Sequence, residues 1–176
     1  KFSIYAYSQL AVEDSMTEQI QNTSDFYINT VGLSDEELAR KIMTDGIDLL
    51  IDLAGHTDGN RLPMLARYKP APTIVTFLGF GYTTGLSAVD YYLTDWVAAP
   101  SSSEIFFSET PWRLSNVPLL YRPMSDTGAP QELPAIRNGY ITFGTLTRSI
   151  RINAFCVSIW SELLKCVKGS KLILNS

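Results

Sequence analysis

"IDLLIDLAG", residues 47 to 55, is an almost continuous apolar run interrupted only by Asp48 and Asp52. A strand buried on both faces of a parallel sheet reads this way, whereas a strand with one wet face alternates. "TIVTFLGFG" (73 to 81) and "VDYYLTD" (89 to 95) repeat the pattern, separated by stretches able to form short helices. Strand and helix in this rhythm predict an α/β fold: an open, Rossmann-like parallel sheet with right-handed crossovers.

Working outward, "KFSIYAYS" (1 to 8) and "FYINTV" (26 to 31) are β-rich. The stretch Asp14 to Asn22 between them has polar helical character, with Met16 and Ile20 spaced i, i+4. The clearest helix signal follows. Ser34 and Glu37 form a capping box, Leu38, Ile42 and Met43 supply the stripe, and Gly46 closes the end. Beyond Asp95, residues 96 to 138 contain six of the nine prolines, which predicts a meandering connection without regular structure. Order resumes with "GYITFGTL" as a strand, a helix from about Asn153 to Val167 carrying Phe155, Ile159, Trp160, Leu163 and Leu164, and "KLILNS" as a strand. The expected organisation is the later part of a Rossmann-like domain over 1–122, a linker over 123–138, and the first β-α-β of a second such domain over 139–176. Both termini fall beside apparent strands, so the chain is expected to be a piece of a longer protein.

Hydrophobic residues make up 45% of the 176 and charged residues 18%, which excludes a disordered chain. The formal net charge of −4 gives no global attraction to nucleic acid or to an anionic membrane, and neither is expected as a partner. No apolar run approaches the roughly 18 residues needed to cross a bilayer. Cys156 and Cys166 share one helical stretch without metal-ligand spacing, which fits free, buried thiols in a reducing, cytoplasmic compartment.

Ligands of open α/β sheets sit beyond the carboxyl ends of the strands. Three loops at such ends are unusual, and all three are expected to face one cleft. "AGHTDGN" holds the chain's single histidine, His56, which either faces a substrate, where imidazole can move a proton, or only shapes the loop. Asp58 or Asn60 is suited to cap the helix that follows. "GFGYTTG" offers Gly79, Gly81 and Gly85 for close backbone approach and the hydroxyls of Tyr82, Thr83 and Thr84, but neither the dinucleotide fingerprint nor the phosphate-loop lysine. "TLTRSIRIN" gathers Arg148 and Arg151 in the loop or first turn entering a helix, either as a phosphate site or as two solvated arginines. Asp48, Asp52, Asp90 and Asp95 read as strand-terminal or loop-bonding groups.

Several blocks in order carry a resemblance to a family. "DGIDLLIDLAGHTDGNRLPMLARYKPAPTIVTFLGFGYTTGLSAVDYYLTD" (45 to 95) resembles the catalytic region of the O-GlcNAc transferase and SPINDLY-like glycosyltransferases, glycosyltransferase family 41. "NGYITFGTLTRSIRI" and "IWSELLKCVKGSKLILNS" are similar to later blocks of the same family. The resemblance implies a GT-B architecture of two Rossmann-like domains, the second holding most of a nucleotide-sugar donor. It implies transfer of a sugar, GlcNAc above all, from a UDP-sugar to protein Ser or Thr hydroxyls, inverting, without metal or cofactor. Tetratricopeptide repeats usually precede the catalytic part.

Carried over position by position, Arg151 falls where the family places a lysine on the donor diphosphate, and Arg148 where it places Gln or Asn near the nucleotide. His56, Thr57, Gly79, Tyr82, Thr83, Thr84 and Gly85 fall in the substrate-positioning loops. No catalytic residue is assigned, because the family's general-base histidine lies upstream of anything matching Lys1. Phe80-Gly81-Tyr82 replaces the family's Y-P-G and Phe77 its usual Trp, departures that imply a divergent bacterial branch. The alternatives are the same fold with an asparagine, glycan or lipid acceptor, or a non-catalytic nucleotide-binding or scaffold module.

Overall fold

A computed structural model describes residues 2–116 and 128–175. The chain divides into two compact units, Lys1–Tyr121 and Arg122–Ser176. The first runs β1 (Tyr5–Ser8), α1 (Ser15–Thr23), β2 (Phe26–Asn29), α2 (Asp35–Thr44), β3 (Leu49–Asp52), α3 (Leu62–Tyr68), β4 (Thr73–Thr76), β5 (Tyr91–Asp95), a 3-10 turn (Ser101–Phe106) and β6 (Thr110–Leu114). Every pairing is parallel: β1 with β2, and β3-β4-β5-β6 in a second sheet. This is the parallel α/β class expected from the apolar runs.

The local signals operate as their chemistry dictates. Ser34 Oγ accepts the Glu37 N–H at 3.3 Å while the Glu37 carboxylate takes the Ser34 N–H at 2.8 Å, so two orphan donors at the start of α2 are satisfied. Asp14 and Thr17 close a similar box on α1. Leu38, Ala39 and Ile42 of α2 pack with Leu62, Met64 and Leu65 of α3 over Ile74 and Val89. Burying each of the larger side chains is worth about 1.5–3 kcal/mol.

Three apolar patterns are covered differently from what their composition alone suggests. Met43 is 50% exposed and Ala39 takes its place in the stripe, because α2 is covered along the 38–39–42 edge alone. On α1, Met16 and Ile20 are exposed while Thr17 is buried. The strand β3 is covered on one face only: Leu49 and Ile51 lie on the side away from α2 and α3, at 47% and 50% exposure. Residues paired across a parallel ladder project to the same side. The registers Ile51↔Val75↔Tyr91 and Leu93↔Trp112 therefore put Leu49, Ile51, Tyr91 and Trp112 on one apolar face and Ile74 and Tyr92 on the other. An apolar run reports that a strand can be buried; it does not report what covers it.

The proline-rich stretch is more ordered than its composition predicts. The strand β6 forms the sheet edge, where Pro111 deprives no further strand of a hydrogen bond. Arg113 then gathers the preceding segment. Its Nε donates to the Ala99 carbonyl at 2.6 Å, its Nη1 meets Glu104 at 2.8 Å, and its guanidinium lies 4.8 Å from the centre of the Trp96 ring. The short helix α4 (Pro134–Asn138) occupies the end of the expected linker, whose first part, 123–127, lies outside the described residues.

The second unit continues with β7 (Thr142–Thr145), a 3-10 turn (Ser149–Arg151), α5 (Ala154–Cys166) and β8 (Lys171–Leu174), with β7 parallel to β8. Asn153 caps α5 by accepting the Cys156 N–H at 2.9 Å. The stripe expected on α5 is not buried among the described residues: Phe155, Ile159 and Leu163 are exposed and Trp160 and Leu164 half-buried. Two strands cannot cover a helix of 13 residues. No helix of the described residues is long and apolar enough to cross a membrane.

Candidate functional site

The register of the four-stranded sheet assembles the first site. Thr76, the last residue of β4, pairs with Tyr92 near the start of β5, and Tyr92 pairs with Pro111 near the start of β6. The loops leaving β3 and β4 therefore emerge level with the segment that enters β6. The helix expected between β4 and β5 is absent, and residues 77–90 form an irregular loop instead.

Asp52, at the end of β3, turns the first loop. Its carboxylate accepts the Ala54 N–H at 3.2 Å, the Gly55 N–H at 3.0 Å and the Thr76 hydroxyl at 2.9 Å, which ties the ends of β3 and β4 together. The Thr57 hydroxyl donates to the Ala54 carbonyl at 2.7 Å, and Asn60 Oδ1 accepts the Leu62 N–H at 3.1 Å at the start of α3. The second loop lies directly on the first. A Cβ on Gly79 would stand 2.3 Å from the Ala54 carbonyl oxygen, and Gly79 has φ +41°, so this position admits glycine alone.

Thr83 and Thr84 anchor the rest of the second loop to Glu109, which is 3% exposed. Glu109 Oε1 accepts the Thr84 N–H at 2.8 Å and also the Thr84 hydroxyl, and Oε2 accepts the Thr83 hydroxyl at 2.7 Å. A buried carboxylate is tolerated only when its lone pairs are satisfied, and here all three donors come from one loop. Burial pushes the Tyr92 phenol up from its ordinary value, and the nearby Glu109 charge adds to the shift. Sequence reading missed Glu109. It stands 25 and 26 residues from its partners, and no periodicity or motif marks it.

His56 bridges the two loops. Its Nε2 lies 2.9 Å from the Thr84 carbonyl oxygen, and its ring meets Phe80 edge-on at 5.5 Å between centroids. A carbonyl only accepts, so Nε2 is the donor in this contact, which leaves Nδ1 without a hydrogen-bond partner among the described residues. Tyr82 is exposed and packs 5.1 Å from the Phe107 ring. The structure thus brings His56, Thr57, Gly79, Tyr82, Thr83, Thr84 and Gly85 onto two adjoining loops. The Thr83 and Thr84 hydroxyls donate to Glu109 while their oxygens accept the Gly85 and Leu86 N–H groups, and Thr57 donates to its own turn.

Arg148 and Arg151 belong to the second unit and are described there by themselves. They bracket the 3-10 turn after β7 rather than entering the first turn of α5, which begins after the Asn153 cap. Both are exposed, and neither has an ion pair among the described residues. Two guanidiniums three residues apart, ahead of a helix start, can take an anion in a bidentate fork. Among the described residues no group of three or more His, Cys, Asp or Glu side chains is placed to hold a metal ion.

The family model described as glycosyl transferase family 41 matches residues 1–118. The chain belongs to glycosyl transferase family 41. The family-41 match contains both glycine-rich loops, His56 and Glu109. Relatives extend the likeness through the second unit. The chain is 33% identical over 178 residues to the probable UDP-N-acetylglucosamine–peptide N-acetylglucosaminyltransferase SPINDLY of Eustoma exaltatum subsp. russellianum, covering 99% of this chain and 19% of that protein. It is 31% identical over 179 residues to the protein of the same name from Arabidopsis thaliana, covering 99% of this chain and 20% of that one. A mutant O-GlcNAc transferase of Thermobaculum terrenum superposes with a TM-score of 0.80 at 32% identity, covering 98% of this chain and 32% of the other. This family-41 chain therefore spans about a fifth of the length of these curated relatives.

Proposed function

We propose that the protein carrying this chain transfers GlcNAc from UDP-GlcNAc to Ser or Thr hydroxyls of proteins, with inversion and without a metal ion. The first unit serves the acceptor side and the second begins the donor-binding domain. In this reading the acceptor oxygen attacks the anomeric carbon and the bond to the diphosphate breaks. UDP leaves with the bonding electrons, while the hydroxyl proton passes to a base. Arg148 and Arg151 neutralise the charge that develops on the leaving diphosphate, as preorganised cations do in other reactions that expel phosphate. The loops holding His56 and Gly79 to Gly85 position the acceptor and sugar. With its Nε2 proton directed at Thr84, His56 offers only Nδ1, an acceptor that can orient a substrate hydroxyl. The setting proposed for the protein is cytoplasmic; Cys156 is half-buried and Cys166 exposed on α5, rather than buried as expected.

The observation that carries the reading is the pair of exposed arginines around Ser149–Arg151, unpaired among the described residues, on a chain of family 41. The test is UDP binding to the intact protein by calorimetry. Arg151→Ala is expected to weaken UDP by about 10- to 100-fold, the loss of one or two charge-assisted hydrogen bonds. Unaltered affinity in both Arg151→Ala and Arg148→Ala overturns the diphosphate assignment.

A further inference from the structure

The carboxylate of Glu109 is buried without a cation: among the described residues no basic side chain pairs with it, and its donors are two hydroxyls and one N–H. A buried charge held by neutral groups is costly, and both carboxylate oxygens are needed here, since a neutral amide would present a donor in place of one of them. Besides securing the loop, the carboxylate stands at the end of a hydrogen-bonded path. The Thr83 hydroxyl donates to Glu109 Oε2 at 2.7 Å. The same Thr83 Oγ1 accepts the Gly85 N–H at 3.1 Å, and is braced by the Ser108 N–H at 3.2 Å. The Gly85 N–H and the Thr84 carbonyl are the two ends of one peptide group, and that carbonyl faces His56 Nε2 at 2.9 Å. Every donor in the series points toward Glu109. Hydrogen bonds aligned in one sense polarise one another, so the negative charge strengthens the Thr84 carbonyl as an acceptor.

We propose that Glu109 is a positioning residue that acts on His56 through Thr83 and the Thr84–Gly85 peptide, holding the imidazole in its Nε2–H form with Nδ1 turned to the acceptor hydroxyl. The inference rests on the proposed function, since it assigns His56 a substrate to orient. Each hydroxyl of the Thr-Thr-Gly sequence then has its own part, the first as a relay atom and the second in securing the carboxylate.

The test uses the intact protein and two readouts. With selective 15N-histidine labelling, the His56 ring, identified by its loss in His56→Phe, is expected in the Nε2–H form. Glu109→Gln, and independently Thr83→Val, shift it toward a mixture of tautomers, while Thr83→Ser restores it. An unchanged tautomer in both disruptive variants overturns the relay whatever the activity. In turnover of UDP-GlcNAc with a serine-containing peptide, Glu109→Gln is expected to lower kcat by roughly 10- to 100-fold, as small misplacements at a reacting site do. UDP affinity stays constant. In a His56→Phe background the same substitution has little further effect. Equal losses in both backgrounds overturn the relay and leave the proposed function standing. Full turnover by His56→Phe alone overturns the substrate-positioning role of the loop and, with it, the inference. Should Glu109→Gln fail to fold, Thr83→Val and Thr83→Ser carry the same comparison.

Discussion

The Gly79 backbone rests on the Ala54 carbonyl so closely that a Cβ at Gly79 would stand 2.3 Å from that oxygen. Backbone cannot yield as a flexible side chain can, so Gly79→Ala meets both a steric and a conformational obstacle, given its φ of +41°. The expected cost is on the order of 2–5 kcal/mol, read as a lowered denaturation midpoint. Gly81, two residues on, has open space around it and no left-handed φ. Gly81→Ala is expected to stay within about 0.5 kcal/mol of the parent, and equal effects at the two positions would contradict the loop packing.

Ile42 and Met43 are adjacent apolar residues of α2, yet Ile42 is 1% exposed and Met43 50%. Ile42→Ala is expected to cost about 2–5 kcal/mol in urea unfolding, from lost burial and the cavity left behind. Met43→Ala is expected to cost well under about 1 kcal/mol, because alanine propagates a helix better than any other residue and little burial is lost.

Arg113 is expected to resist conservative replacement. Its Nε and Nη1 engage the Ala99 carbonyl and Glu104 at the same time, and its plane lies over Trp96. Lysine has one ammonium and no planar fork, so Arg113→Lys should lower stability by about 1–3 kcal/mol and expose Ser101–Phe106 to proteolysis. Full stability in the lysine variant would refute this account of the proline-rich segment.

Asp90 predicts an acid limb in the stability curve. Burial alone would raise its carboxyl, but hydrogen bonds from Lys69 at 2.7 Å and from the Ile74 N–H at 2.8 Å hold it below the ordinary 3.8. A depressed native value means the unfolded chain takes up the proton first. The stabilisation is therefore complete above the ordinary value and is lost as pH falls through the native one. Thermal melts from pH 6 down to pH 2 should show Asp90→Asn less stable at the upper end and closing on the parent below about pH 3.8. A gap that persists unchanged at the lowest pH would rule out this carboxylate as the source.

How much was legible follows from the range of each interaction. The Ser34–Glu37 box spans three residues, and the strand runs from Leu49, Thr73, Tyr91, Thr142 and Lys171 need only their own side chains. Signals of this range gave the right element types. The strand at Thr110–Leu114 was hidden because Pro111 is a local strand breaker, and only an edge position removes the objection. The two glycine-rich loops stood out by composition. Their common anchor did not, since Glu109 meets Thr83 and Thr84 across 26 and 25 residues.

The sequence by itself determined a parallel α/β chain, its capped helices and a family resemblance, because propensity, capping and motif order are written in neighbouring residues. Tertiary structure alone decided which strand faces are covered, that Glu109 is the buried charge under the Thr-Thr-Gly loop, and which nitrogen of His56 faces the Thr84 carbonyl. Those outcomes depend on which distant atoms share a small volume, and that is fixed only when the sheet register brings the loops together.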